Sequence, residues 1–286
     1  MNSEQNQGPA LGFDVGATLT KLAIFPPGEE GRFEVLGKLQ DSELSGLISS
    51  LGPSSIGVTG GGAERLFGGI HQPATLTLVD EFTAWGAGAS ALLAQGPTPH
   101  PAPYLLVSVG TGTSALRVDG DSVHRVGGTA LGGGTVLGLG SLLCDCPDFG
   151  ELCRMAERGK RQTVDLMLSD VYPSGDNPLL LATDITASSF ARISHPTATG
   201  PKPSHDDLAA AIMGLVGENV ALICASLAGT AGATHVFYGG STLRGNPLLT
   251  GILITLTTAL GSPAQLLPNG EFAGAVGASQ IAQADA

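Results

Sequence analysis

Two stretches of this chain repeat one pattern, and that pattern narrows the architectures open to it. Leu11 to Phe25 reads LGFDVGATLTKLAIF, and Leu105 to Val118 reads LLVSVGTGTSALRV. Each is an apolar β-branched run, a Gly/Thr turn opening on Val-Gly, and a second alternating run, which predicts a strand–turn–strand hairpin. Aligning Val15-Gly16 with Val109-Gly110 also brings Leu22 onto Leu116 and Ile24 onto Val118. The repeat predicts a duplicated domain with one phosphate-facing turn in each half.

The rest of the chain alternates strand and helix signals. Ser55–Val58 reads as a buried strand ending in Thr59-Gly60-Gly61-Gly62, and Leu76–Val79 as another, leading through Asp80-Glu81 into an Ala-rich helix from Thr83 to Leu93. Gln95 to Pro103 carries four prolines and a glycine and reads as the linker between halves. After the second hairpin, Gly132-Gly133-Gly134-Thr135 leads into the apolar run Val136–Leu143, a pattern expected to put unpaired N–H donors at a helix start. Leu152–Arg158 reads as a helix, Pro173–Ser204 as loops around one short helix, and Asp207–Ala228 as a long helix. A strand at Thr234–Tyr238 ends in Gly239-Gly240-Ser241. A helix from Pro247 to Leu260, a strand at Gln265–Leu267 and a small-residue helix after Gly270 close the chain. The alternation predicts an α/β fold.

Several classes of protein are disfavoured. With 13 basic and 25 acidic residues the net charge is −12, which speaks against a nucleic-acid partner. Backbone N–H groups still bind phosphate without net positive charge. The run Met1–Ala10 lacks a basic and an apolar segment, so it reads as a mobile tail rather than a secretory signal. The most apolar stretch, Ile212–Leu227, contains Glu218 and Asn219 and reads as a buried helix, so no membrane partner is expected. Cys144, Cys146 and Cys153 lie close together, yet no Cys-x-x-Cys pair or spaced histidines accompany them. They read as reduced structural thiols in a cytoplasmic protein. His71, His100, His124, His195, His205 and His235 form no ligand pair.

The turns carry the chemistry. In Asp14-Val15-Gly16-Ala17-Thr18-Leu19-Thr20-Lys21, a strand ends in an acid, small residues let backbone close round phosphate oxygens, and Lys21 offsets their charge. Asp14 is the candidate for holding Mg²⁺, through water. The second turn, Gly110-Thr111-Gly112-Thr113-Ser114, is expected to face the first across a cleft, with Gly132–Gly134 adding amide donors and Gly240 giving close backbone approach to an adenine ring. Neither the G-x-x-x-x-G-K-[ST] loop nor the G-x-G-x-x-G dinucleotide fingerprint is present.

Taken in order, Asp-x-Gly-x-Thr-x-x-Lys, Val-Thr-Gly-Gly, Asp-Glu-Phe, Val-Gly-Thr-Gly-Thr-Ser, Arg125-Val126-Gly127-Gly128-Thr129 and Gly-Gly-Gly-Thr resemble the type II pantothenate kinases. The resemblance extends through Ile185-Thr186-Ala187-Ser188-Ser189-Phe190 to Asn269-Gly270-Glu271-Phe272-Ala273-Gly274-Ala275. It implies a two-lobed actin-like ATPase fold (ribonuclease H-like, duplicated) with mixed sheets flanked by helices. The expected division is a flexible tail 1–10, an N-terminal lobe 11–97 and a C-terminal lobe 98–286.

The implied activity is transfer of the ATP γ-phosphoryl group to pantothenate with Mg²⁺, the first step toward coenzyme A. Also implied are a homodimer, which the long Asp207–Ala228 helix suits, and feedback by coenzyme A or its thioesters. By the same resemblance Glu81 falls on the catalytic acid and Arg125 on an arginine contacting substrate and transition state. Thr111, with Gly112 and Thr113, lies near both nucleotide and acceptor. Gly16, Ala17, Thr18, Leu19, Thr20 and Lys21, then Gly133, Gly134, Thr135, Val136 and Leu137, match nucleotide-contacting segments, with Phe149 stacking nearby and Ser241 beside the nucleoside. Asp80 is the competitor to Glu81 for the base. Ala17 departs from a pattern in which many relatives carry glycine, which is tolerated only at negative φ. Two other readings stay open: a different small-molecule kinase of the superfold, such as an N-acetylhexosamine kinase, and a non-catalytic regulator binding nucleotide or acyl-CoA.

Overall fold

The computed structural model describes residues 8–37, 40–68, 75–96, 102–172, 185–194 and 202–285. The expected tail therefore lies mostly outside the described residues, as do 97–101 of the linker and most of the 173–204 loop region. Two compact units emerge. One comprises residues 1–106, 116–125 and 267–286, and the other 107–115 and 126–266.

The first half of the chain runs β1 (Ala10–Val15), β2 (Thr20–Phe25), β3 (Arg32–Leu36), α1 (Asp41–Leu51), β4 (Ser55–Thr59), α2 (Ala63–Phe67), β5 (Thr75–Leu78) and α3 (Glu81–Ala94). Next come β6 (Tyr104–Val109), β7 (Thr113–Asp119), β8 (Ser122–Thr129), α4 (Gly133–Leu143) and α5 (Phe149–Arg158). Then follow β9 (Leu166–Met167), α6 (Leu168–Val171), β10 (Thr186–Ser188), α7 (His205–Ala231) and β11 (Val236–Gly239). The chain closes with α8 (Pro247–Ala259), β12 (Ala264–Leu266) and α9 (Ala273–Ala284). Both hairpins form where expected. The strands β3 and β8 and the helices α1 and α2 had no clear sequence signal.

In the first unit the sheet order is β3-β2-β1-β4-β5, with β1 antiparallel to β2 and parallel to β4. All six residues of β1 and all five of β4 are buried, as central strands covered on both faces require. Leu11, Phe13, Leu22, Ile24, Leu44, Ile48, Ile56 and Val58 form one core cluster beneath α1 and α2. Helix α9 packs on β1, β4 and α3. It comes so close that a Cβ at Gly12 would overlap the Ala275 carbonyl oxygen, one at Gly57 that of Ala278, and one at Gly277 that of Ala84. Backbone thus fills space that side chains occupy elsewhere.

The other five-stranded sheet has the order β12-β11-β6-β7-β8. In the second unit α7 is the central helix. Ser204 caps it in a reciprocal box with Asp207, and Gly232 ends it at φ 65°. Among the described residues α7 alone is long and apolar enough to cross a membrane, but two thirds of its most apolar window is buried against its own unit. Glu218 in that window is ion-paired to Arg161. It is a core helix, as the charged residues within it imply.

Substituting Gly57→Ala is expected to cost about 2–3 kcal/mol in urea unfolding through overpacking. Gly46→Ala, inside α1 with open space around it, is expected to stabilise by about 0.5–1 kcal/mol from helix propensity alone.

Candidate active site

In the first unit the hairpin register sets Asp14 at the end of β1 directly opposite Lys21 of β2. Lys21 Nζ lies 3.6 Å from Asp14 Oδ2; the Asp14 side chain is buried and that of Lys21 half-buried. Burial pushes the Asp14 carboxyl above its usual range, and the Lys21 ammonium only partly offsets this. The turn between the strands closes through Gly16 N–H donating to the Leu19 carbonyl at 3.0 Å, leaving Ala17 and Thr18 exposed at its tip. Ala17 is not among the described non-glycine residues at positive φ, which are Asp145, Phe190 and Asn269. Its methyl therefore carries no backbone strain. The Val-Thr-Gly-Gly segment after β4 joins this site: Gly60, at φ 91°, approaches Asp14 so closely that a Cβ would stand 2.8 Å from Oδ1. Gly62 N–H donates to the Val15 carbonyl at 3.0 Å.

Asp80 and Glu81 divide their work at the start of α3. Asp80 is the N-cap, its Oδ1 accepting from Thr83 N–H at 2.9 Å and Thr83 Oγ1–H at 3.0 Å. The Thr83 amide is the main reason its carboxyl sits below the usual range. Glu81, the first residue of the helix, is outside that cap and solvent-accessible. Partial desolvation first, and then the negative charges of Asp14 and Asp80, hold its carboxyl above the usual range, with Lys21 pulling the other way. Arg125 lies exposed on β8.

In the second unit Gly110 N–H donates to Gly112 O at 2.9 Å, closing the turn, and Thr113 Oγ1 donates to Leu131 O at 2.8 Å. The glycine triplet behaves differently from expectation. Gly133 N–H donates to Gly110 O at 2.8 Å and Gly134 N–H to Thr111 O at 2.9 Å. These two amides are consumed in bracing the second turn rather than left for phosphate. The triplet is glycine because backbone packs on backbone: a Cβ at Gly132 would stand 2.8 Å from the Gly112 Cα. Gly240, at φ 111°, likewise has its side-chain space filled by the Val109 backbone, so its form serves packing on β6. Thr242 Oγ1 braces the same turn, donating to Gly110 O at 2.8 Å. Thr111 and Gly134 are exposed, Thr135, Leu137, Phe149 and Ser241 are half-buried, and Val136 is fully buried in the core. The same unit holds a cavity of about 330 Å³ walled by the Arg161–Glu218 pair and by Leu248, Ile252 and Leu256 of α8. No local sequence pattern announced it.

Mg²⁺ binds through one or two carboxylates and otherwise keeps waters and substrate phosphate oxygens. Asp14 fits such a role. It is a buried carboxylate whose oxygens are approached by glycine backbone where a Cβ would intrude. Among the described residues no three His, Cys, Asp or Glu side chains converge as an all-protein cage would need. All four cysteines are free and buried, and burial pushes the Cys153 thiol up to about 11 and Cys224 to about 12. These two thiols are inert at neutral pH.

Residues 33–279 match the Fumble family model. The type II pantothenate kinase of Staphylococcus haemolyticus is 32% identical over 94% of this chain and 98% of its own length. That of Staphylococcus aureus is 33% identical over 94% and 97%. Among solved structures, the activator of the 2-hydroxyisocaproyl-CoA dehydratase from Clostridium difficile with bound ADPNP superimposes with a TM-score of 0.62 at 17% identity, covering 97% of this chain and 95% of that one. A ROK family glucokinase from Streptomyces griseus in complex with glucose and AMPPNP gives 0.57 at 14%, covering 97% and 100%. These likenesses establish the actin-like α/β fold.

A folded-state acid whose affinity for its proton is raised contributes stability below its unfolded pKa and loses it as pH rises through the folded value. Ionised Asp14 is therefore a net cost at pH 7, and Asp14→Asn is expected to hold or raise the melting temperature there. Asp80→Ala is expected to lower stability by about 1 kcal/mol through the lost cap, read from urea unfolding.

Proposed function

Because the chain belongs to the type II pantothenate kinase family, we propose that it transfers the γ-phosphoryl group of ATP to the primary hydroxyl of pantothenate, releasing ADP and 4′-phosphopantothenate. The observation that carries this reading is the state of Glu81. It is an accessible carboxylate with a raised proton affinity, set near the Asp14–Lys21 pair, while its neighbour Asp80 is committed to capping.

Glu81 accepts the proton of the hydroxyl as its oxygen bonds to the γ-phosphorus and the bond to the ADP oxygen breaks. A carboxylate placed for this typically contributes about 10²–10⁴-fold. Phosphoryl transfer otherwise asks for positioning and charge stabilisation. Lys21, beside the Gly16–Thr20 turn of the first unit, binds phosphate oxygens. Arg125 offers a fork of donors to the carboxylate of pantothenate or to the transferring group. Mg²⁺, when bound near Asp14, neutralises charge developing on the phosphates.

A coupled ADP-release assay tests the reading, with pantothenate, glucose and N-acetylhexosamines as acceptors. Turnover confined to a sugar, or absent with every acceptor, overturns it. Glu81→Gln is expected to lower kcat by about 10²–10⁴-fold with nucleotide affinity retained. The base must be ionised, so kcat/KM of the unsubstituted enzyme should fall on the acid side with an apparent pKa above the ordinary glutamate value of 4.5. An acid limb at or below that value removes Glu81 from the role.

A further inference from the structure

The Ala273-Gly274-Ala275 segment that opens α9 has no assigned part in the chemistry above, yet it stands against Asp14 and against α3, the helix that begins at Glu81. A Cβ on Gly274 would lie 2.9 Å from Asp14 Oδ2, 3.0 Å from Asp14 Cγ and 2.9 Å from Trp85 Nε1. Trp85 is buried on α3 four residues after Glu81, one turn along the same helix face. One α-carbon is thus the common boundary of the carboxylate at the end of β1 and of the helix that presents Glu81.

Helix propensity alone would favour alanine here by about 1 kcal/mol, and both neighbours are alanine. The glycine is kept where the only space for a methyl is already taken. Nor is α9 free to retreat along α3. A Cβ at Gly88 would overlap Ala273 O, and Gly277 abuts the α3 backbone at Ala84 and Gly88. On its far side Asp14 is held by Gly60, whose absent Cβ would lie 2.8 Å from Oδ1. A methyl at 274 therefore has to displace side chains, and the Asp14 carboxylate is one of the two it meets.

We propose that Gly274 is a positioning residue, which holds the Asp14 carboxylate in its place opposite Lys21 by presenting bare backbone to Oδ2. The proposal rests on the reading of Asp14 as the acid that holds Mg²⁺. It extends that reading to the C-terminal helix.

The test is calorimetric titration of ADP into the full-length protein, once with MgCl₂ and once with EDTA. The ratio of the two affinities measures the coupling between metal and nucleotide, independently of turnover. Gly274→Ala is expected to reduce the ratio by about fivefold or more while leaving the affinity in EDTA unchanged. Gly274→Ala combined with Trp85→Phe removes the indole nitrogen from the clash and leaves the carboxylate in it. This pair covers the case in which the single variant fails to fold, and it should show the same reduced ratio. Ala282→Gly, in the last turn of α9, serves as a control of comparable stability loss and should keep the unsubstituted ratio. A double variant with an unsubstituted ratio, or a Gly274→Ala effect matched by Ala282→Gly, overturns the proposal. Asp14→Asn separates the two levels. If it leaves the ratio unchanged, the reading of Asp14 itself fails, and the positioning role fails with it. If it collapses the ratio while the Gly274 variants do not, only the positioning role fails.

Discussion

Helix α9 meets β1, β4 and α3 backbone to backbone, and the geometry of the first unit depends on that spacing. Gly12, Gly57, Gly88 and Gly277 each leave out a side chain where a carbonyl oxygen or amide of the opposing element sits. Glycine inside a strand or helix costs about 0.5–1 kcal/mol each. What offsets the cost is a densely filled layer, in which Leu11, Phe13, Ile56 and Val58 are almost wholly removed from water. Close-packed interiors transmit small displacements, so the strand that carries Asp14 and the helix that begins at Glu81 share one rigid neighbour.

Charge is distributed on that frame with a consistent logic. Asp14 is taken almost completely out of water and paired with Lys21 at a distance that only partly offsets its desolvation. A site arranged this way stays short of cation, as the proposed role of Asp14 in holding Mg²⁺ asks. Asp80 and Glu81, adjacent in sequence, are driven to opposite proton affinities, because one accepts two hydrogen bonds from Thr83 while the other is partly desolvated and stands near the negative charge of Asp14. The second unit buries Glu218 with Arg161 and with the Thr186 amide, so that pair braces the segment before Phe190 against α7.

Glycine serves different physical ends in the two turns. In the first it closes a hairpin whose neighbours are a carboxylate and an ammonium. In the second, the triplet Gly132–Gly134 and Thr242 brace the loop Gly110–Gly112 through its own carbonyls. The second turn is held by backbone on backbone and needs no buried charge to keep its shape.

Local pattern was enough for much of this. Val-Gly followed by Thr between alternating runs specifies a hairpin, because few turn types join two twisted strands. The long apolar run of α7 from Ile212 to Leu227, with Glu218 and Asn219 inside it, specifies a buried helix. The acid at the end of β1 and the Asp80-Glu81 pair at a strand-to-helix junction were visible for the same reason: charge at the edge of an apolar run is costly unless it has work to do. Tertiary structure alone decided which of two adjacent acids is spent on a cap, and which glycine amides are already paired. It also brought Gly60, Trp85 and Gly274 from distant parts of the chain to one carboxylate. Those outcomes depend on what lies across the space around a residue, and a missing side chain records nothing in the sequence about the atom that fills its place.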